Sequence, residues 1–363
     1  MRAAAHPRFN APHTSFPPCT DHKANHHPNM VAPTRATMTF PLVSLLLALS
    51  PAPSTQYQLH RRTILTAAPA AAAAAAAAST AAPPALAAPS GAVIGGPRVP
   101  IDGAKDGFPL ASFGLQVYDD ETAYRLTLTA LEVGYRNFFA SVLAGNQKGF
   151  ARAVKASGIP RDQLYICGTV LSNRVRGEQA AFDKTQKGCN ENMIAMAAGD
   201  IGHLDQIMLD YPGPDAESVQ GQWRAFEQMK SDGLVDTLAV SNFSPGQLDA
   251  VLALKGTKPA VNQLPFSLAN NPPGLLEYNK ERGVLVQSWS PLSRVLTNPT
   301  YRTELASIGS NYGKSAAQVG LRYIVQSGAS FCTQSKSKSH FEEDLNVFDF
   351  ELTTKEMAQL GKL

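Results

Sequence analysis

Eight short apolar runs, each followed by a segment of helical period, dominate the chain from about Phe108 onward. The runs are "LASFGLQV", "RNFFAS", "LYICGTV", "DQIMLDY", "TLAVSN", "AVNQLPF", "VLVQSWSP" and "SFCTQS". Between them lie patterns such as "ETAYRLTLTALEVG", "SVQGQWRAFEQMKSDG" and "SAAQVGLRYIVQSG". Several helical segments stop at glycine, at Gly134, Gly233 and Gly328, the residue that caps a last turn most easily. Eight strand–helix units over roughly 250 residues predict a parallel (β/α)8 TIM barrel of one domain. A doubly wound sheet is the alternative, but no GxGxxG follows the first run. Chemistry on a barrel belongs to the C-terminal ends of its strands and the loops beyond them. Those ends read "FFASVLAGN", "CGTVLSN", "LDYPGPD", "SNFS", "NQLPFS", "SWSPLSR" and "TQSKSKSHFEED".

The first 88 residues are of another kind, and we read them as a targeting leader. Residues 89–107 are then a lead-in, and 108–363 the barrel. The leader holds six basic residues and one acid, about +5, so the formal net charge of +3 leaves about −2 for the rest. The basic surplus therefore sits outside the barrel, and the barrel offers no basic face for nucleic acid. Phe40–Leu49, "FPLVSLLLAL", is too short to span a bilayer but fits the apolar core of a signal peptide. Further on, Arg61-Arg62 precede a weakly apolar stretch that closes on Ala85-Leu86-Ala87, an A-x-A cleavage signal. A twin arginine in that setting resembles a Tat-type export signal. Two stacked signals resemble the leaders of lumenal proteins in plastids with extra envelope membranes. They imply a plastid address ending in the thylakoid lumen, with no transmembrane segment in the mature chain. The alternative is a low-complexity Ala/Pro tail with no address. The apolar run would lie near the N-terminus if Met30 or Met38 were the start.

Beyond the leader the histidines are only His203 and His340, and the cysteines only Cys167, Cys189 and Cys332. There is no CxxC and no even cysteine framework, so no metal and no disulfide scaffold is expected. Cys167 and Cys332 fall inside strands and read as small core residues. His203 reads as a surface residue, and "SKSKSH" as a solvated loop.

Five segments resemble the aldo-keto reductase family, in order and spacing: "AVSNFSPGQLDAV", "PAVNQLPFS", "SWSPLSR", "KSAAQVGLRY" and "NVFDFELTTKEM". The resemblance spans about Phe108 to Leu363. It implies a (β/α)8 barrel that binds NADPH without a Rossmann motif and reduces aldehydes and ketones. In that family hydride passes to the carbonyl carbon and a tyrosine gives its proton to the oxygen. A lysine, paired with an aspartate, lowers the tyrosine's pKa, and a histidine orients the carbonyl.

All four of those positions are substituted here. "GYRNFFASVLAGNQ" puts Phe139 at the aspartate and Ala144 at the tyrosine. "CGT" puts Thr169 at the lysine, and "MLDYPG" puts Asp210 at the histidine. Gly134-Tyr135-Arg136, Gly145-Asn146 and Pro212 hold the register, so one slip does not account for four losses. On the cofactor side, Ser241, Asn242 and Gln263 match residues that hold the nicotinamide amide. Trp289 replaces a stacking tyrosine, and Ser335 and Glu343 match phosphate- and adenine-side positions. The family's 2′-phosphate lysine and arginine are Gln334 and His340 here, and its asparagine is Asp344, so the resemblance implies NADP or NAD with binding weakened or lost and no NADPH selectivity. Lys336 and Lys338 are the only nearby substitutes. Ser241, Asn242 and Gln263 equally fit a role as strand-end residues that bond backbone.

Asp210 reads more readily as a solvated loop cap than as a general acid, because no cation at a matching strand end activates it or its neighbours Tyr211 and Tyr118. The chain stops soon after "FELTTKEM", so an open pocket is expected. Three functions follow. The first is a degenerate barrel that binds a small molecule, a dinucleotide or a protein partner at a mouth made apolar by Phe138, Phe139, Val142, Leu143 and Ala144. The second is an active NAD(P)H-dependent reductase with a non-standard proton donor. The third is a structural lumenal subunit.

Overall fold

The structure, a computed structural model, describes residues 94–363. The leader signals lie outside the described residues. The described part opens with an antiparallel hairpin, β1 (Arg98–Val99) against β2 (Phe108–Pro109), with Val99 opposite Phe108. Two-residue strands carry no readable period, and the sequence pattern did not signal them.

All eight runs become barrel strands. They are β3 (Ala111–Gly114), β4 (Asn137–Phe139), β5 (Tyr165–Val170), β6 (Leu204–Leu209), β7 (Val235–Ser241), β8 (Val261–Leu264), β9 (Leu285–Trp289) and β10 (Ser330–Thr333). They pair in parallel around a closed ring, and β10 returns to β3 through Phe331–Ala111. The helices that follow include α1 (Asp120–Val133), α2 (Gln147–Ser157), α3 (Glu178–Met196) and α4 (Ala216–Ser231). Later ones are α5 (Pro245–Leu252), α6 (Leu275–Glu281), α7 (Pro299–Ser310), α8 (Ala316–Gln326), α9 (Lys338–Leu345) and α10 (Thr354–Leu360). Asp119 caps α1, accepting from the Thr122 N–H at 2.7 Å, and Ser315 with Gln318 closes a capping box on α8.

Strand residues alternate between two apolar layers. Phe138, Ile166, Ile207, Leu238 and Phe331 face outward into the layer shared with the helices. Phe139, Tyr165, Cys167, Met208, Ala239 and Cys332 form the inner cluster. Cys167 and Cys332 are thus buried core residues, as expected. Phe138 is a correction: it packs edge-on against Phe113, 6.4 Å between ring centres, and does not line the mouth. Two-residue alternation puts Thr169, two beyond Cys167, and Asp210, two beyond Met208, on the inner side.

The end of the barrel nearer the hairpin holds a hollow of 640 Å³. Two contacts span part of its lining: Arg161 pairs with Asp205 at 2.6 Å and His203 lies 3.3 Å from Asp236. The opposite end is where the site lies.

Candidate functional site

A cleft of 310 Å³ opens at the C-terminal ends of the strands. Phe139, Gln263 and Trp289 line it from strand ends, Leu292 and Leu296 from the loop after β9, and Ser335 and Glu343 from the β10–α9 region.

Phe139 is 2% exposed, closing the barrel interior from above. The loop after it, which contains Ala144, is pinned by Asn146. The Asn146 Oδ1 accepts from the Ser141 N–H at 3.1 Å, and its Nδ2 donates to the carbonyls of Leu115 and Tyr118. Gly145 turns this loop at φ 65°, a left-handed backbone that suits glycine. Thr169 has also become a loop anchor: its Oγ1 accepts from the Val142 N–H at 2.9 Å. The loop that follows Phe139 is therefore held from two sides, with no charged side chain at Phe139, at Ala144 or at Thr169 of β5.

Asp210 departs from expectation. It is 2% exposed, not solvated. Its backbone is fixed on both sides, the N–H donating to the Val170 carbonyl at 3.0 Å and the carbonyl accepting from Asn242 Nδ2 at 3.1 Å. Its Oδ2 is buried with no hydrogen-bond partner. Burial alone pushes the carboxyl up to about 6. Asp210 is not among the residues that line the cleft.

The nicotinamide-side residues do come together. Ser241 and Gln263 are register partners on β7 and β8. Asn242 follows with φ 63°, a left-handed conformation that asparagine tolerates better than most side chains. Its Nδ2 donates to Ser241 Oγ at 3.0 Å, and its Oδ1 accepts from the Trp289 indole at 3.1 Å. Gln263 Nε2 donates to Gln287 Oε1 at 2.7 Å, and Gln287 passes the chain on to Ser112 Oγ at 3.0 Å. Both amide N–H groups of Asn242 are thus already spent within the protein. Gln263 and Trp289 line the cleft, whereas Ser241 and Asn242 do not.

The polar end of the cleft is built by β10 and α9. Ser335 Oγ meets His340 Nδ1 at 3.1 Å, and Glu343 accepts from Ser315 Oγ at 3.0 Å. Asp344 is 6% exposed and takes a hydrogen bond from the Tyr135 hydroxyl at 3.4 Å. Burial pushes the Asp344 carboxyl up to about 7. The stretch "SKSKSH" is only partly a loop, since α9 begins at Lys338. Neither candidate cation reaches the cleft. Lys338 Nζ pairs with Glu132 Oε1 on α1 at 2.6 Å, and Lys336 Nζ lies 6.0 Å over the Tyr118 ring. That lysine does not activate the phenol: burial pushes Tyr118 up to about 12. Gln116 lines the cleft without having been singled out, and Asp344 lines it as well. Asp344's pairing with Tyr135 spans 209 residues and leaves no local sequence trace.

Among the described residues, no three His, Cys, Asp or Glu side chains group as a metal site, and no helix is long and apolar enough to cross a membrane. A closed parallel (β/α)8 barrel with its cleft at the strand C-termini is the architecture of a barrel oxidoreductase as much as of many other enzymes, so the class comes from comparison. Residues 107–363 match the Aldo/keto reductase family, and the chain belongs to it. An aldo-keto reductase of Mycobacterium leprae is 31% identical over 257 residues, 70% of this chain and 87% of that protein. One from Mycolicibacterium smegmatis is 30% identical over the same length. Among solved structures, an aldo/keto reductase from Brucella melitensis superposes with a TM-score of 0.65 at 25% identity, covering 73% of this chain and 99% of that one. The aldose reductase of Schistosoma japonicum has the same TM-score at 22% identity, over 73% of this chain and 91% of its own. It shares the fold.

Proposed function

We propose that this member of an oxidoreductase family no longer performs the family's carbonyl reduction and acts by binding a ligand in its cleft. One observation carries the reading: Phe139, Ala144, Thr169 and Asp210 stand where a proton relay of aspartate, tyrosine, lysine and histidine is expected. Phenylalanine and alanine have no proton to give, and the Thr169 hydroxyl accepts from the Val142 N–H and donates to the Ala140 carbonyl. Positioned acid–base groups contribute on the order of 10²–10⁴ in rate, so the loss of all four leaves little reduction. The cleft persists without the relay. Exposed Val117, Leu143 and Tyr211 in the loops after β3, β4 and β6 support an apolar ligand or partner at this end.

Asp210 favours a second reading, an active reductase with a rebuilt acid. A carboxyl near 6 keeps a protonated fraction at neutral pH. However, its Oδ2 is sealed from solvent and lies outside the cleft lining, so a carbonyl in the cleft does not reach it. The test is nicotinamide oxidation by the purified protein with a panel of aldehydes and ketones. No turnover above background is expected. Turnover that vanishes in Asp210→Asn or Tyr211→Phe would instead establish the second reading. For location, we favour a plastid compartment on the strength of the two leader signals. Fusing residues 1–88 to a fluorescent protein tests it, and cytosolic fluorescence would refute it.

A further inference from the structure

The lining of the cleft is unbalanced in charge. Its wall from α9 carries two carboxyl groups, Glu343 and Asp344, and none of the side chains lining it is a lysine or an arginine. The one basic side chain there, His340, meets Ser335 Oγ through its Nδ1. Both carboxyls take hydrogen bonds from hydroxyls, Glu343 from Ser315 and Asp344 from Tyr135. The neighbouring lysines are engaged elsewhere, Lys338 with Glu132 and Lys314 with Asp349. Asp344 is 6% exposed and still lines the cleft, and burial is the main cause of its raised pKa. Glu343 beside it adds to that rise, the Thr333 and Tyr135 hydroxyls oppose it, and among the described residues no cation acts on it. A carboxyl taken out of water without a countercharge is costly to ionise, and a cation brought beside it recovers part of that cost.

An apolar wall adjoins the acidic one. Trp289 is the register partner of Cys332 on β10. The next residue, Thr333, is joined to Asp344 through the Tyr135 hydroxyl, which lies 3.2 Å from Thr333 Oγ1 and 3.4 Å from Asp344 Oδ2. The Trp289 indole is held by its hydrogen bond to Asn242, and Leu292 and Leu296 extend the apolar side. An indole attracts a cation placed over its face and packs well against an apolar ring. At 310 Å³ the cleft is of a size that takes a small organic molecule. An anion placed in it meets two carboxyls and no Lys or Arg. A neutral ligand leaves Asp344 without a countercharge.

We propose that the cleft takes an organic cation, an amine on an apolar or aromatic body, with the ammonium against Glu343 and Asp344 and the body against Trp289, Leu292 and Leu296. This rests on the reading that the chain acts by binding a ligand in this cleft, and it names the chemical class of that ligand. Asp344 sets the preference, and Glu343, which is less buried, assists it.

The experiment is a titration of the full chain with three probes that share one body: phenylbutylamine, phenylbutanol and phenylbutyrate. It is run about one pH unit above the value of about 7 to which burial raises Asp344, so that this carboxyl is mostly ionised. Tryptophan emission and calorimetry follow binding. Trp289 lines the cleft, while Trp223 is buried elsewhere, donating to the Thr257 carbonyl at 2.9 Å, and supplies a constant background. The amine is expected to bind at least about tenfold more tightly than the alcohol, and the carboxylate more weakly than either. Asp344→Asn, which keeps an acceptor for Tyr135, is expected to weaken the amine about tenfold and to leave the alcohol within about threefold. Glu343→Gln is expected to weaken the amine about threefold, since water screens that carboxyl more. The comparison of probes needs no variant, so it decides the matter even if Asp344→Asn folds poorly. Equal binding of amine and alcohol overturns the proposal, and so do tighter binding of the carboxylate and the absence of amine binding. A folded Asp344→Asn protein that binds the amine as tightly as the unaltered one overturns it too. Equal binding, or a preference for the carboxylate, would leave ligand binding in the cleft standing, so the two readings fail separately.

Discussion

Replacing Asp210 with asparagine tests the description of the barrel mouth most directly. In the folded protein this carboxyl is buried, one oxygen has no partner, and its pKa is raised from 3.8 to about 6. The sign follows from proton counting. Between pH 4 and pH 6 the folded state holds the proton that the unfolded state has released. Stability contributed through this group is therefore present at low pH, falls as pH rises through that window, and stays low above it. At 1.36 kcal/mol per pH unit, the full interval is worth about 3 kcal/mol, reached by about pH 8. At pH 4.5 the same linkage gives only about 1 kcal/mol. Asp210→Asn removes the ionisation and nearly keeps the shape. Whatever the new amide gains or loses by packing acts equally at both pH values. The other carboxyls raised by burial, Asp205 and Asp344, are common to both proteins and cancel in the comparison. The variant should therefore gain about 2 kcal/mol relative to the unaltered protein on going from pH 4.5 to pH 8. Urea unfolding at the two pH values measures it. A difference that does not change with pH, or that grows toward low pH, would show that Asp210 is paired or hydrated and that the sealed-carboxylate description is wrong.

Other perturbations probe the same end of the barrel and its supports. Asn146→Ala should cost about 2–4 kcal/mol in urea unfolding, because it strips partners from three backbone groups, the Ser141 N–H and the Leu115 and Tyr118 carbonyls. A loss under about 1 kcal/mol would mean that the loop after β4 is not held by this side chain. Gly149→Ala should destabilise by about 3 kcal/mol, since a Cβ there would sit 1.9 Å from the Asp120 carbonyl oxygen and force α1 and α2 apart; an unchanged melting temperature would contradict that contact. Cys167, Cys189 and Cys332 should be unreactive toward a chromogenic thiol reagent in the native protein and react on unfolding, because all three are buried and burial pushes Cys189 and Cys332 up to about 12. Rapid native labelling at any of the three would place that thiol at the surface.

The fold was legible because its signal is repeated. Each strand run sits between helical segments, and no single run had to be read correctly for a barrel to emerge. The proposal that Phe139, Ala144, Thr169 and Asp210 replace a relay likewise rests on residue identity, within segments whose glycines and prolines hold the register. What was not legible depends on partners distant along the chain. Phe138 and Phe139 are adjacent and identical in kind, yet one faces the helices and the other lines the cleft. Asp210 looked like a solvated cap, since nothing in "LDYPG" tells which strands and loops close over it. The β1–β2 hairpin and the first turn of α9 were too short to carry a period.

Residue types and their spacing were thus enough to establish the eight-fold alternation, since it is a property of identity and order. Tertiary packing alone decided which carboxyl would be stranded without a partner, which amides would be spent on one another, and which lysines would turn away from the cleft. Desolvation and hydrogen bonding depend on what lies within a few ångströms in space, and for Asp210, Asn242 and Lys338 those neighbours come from strands and helices far away in the chain.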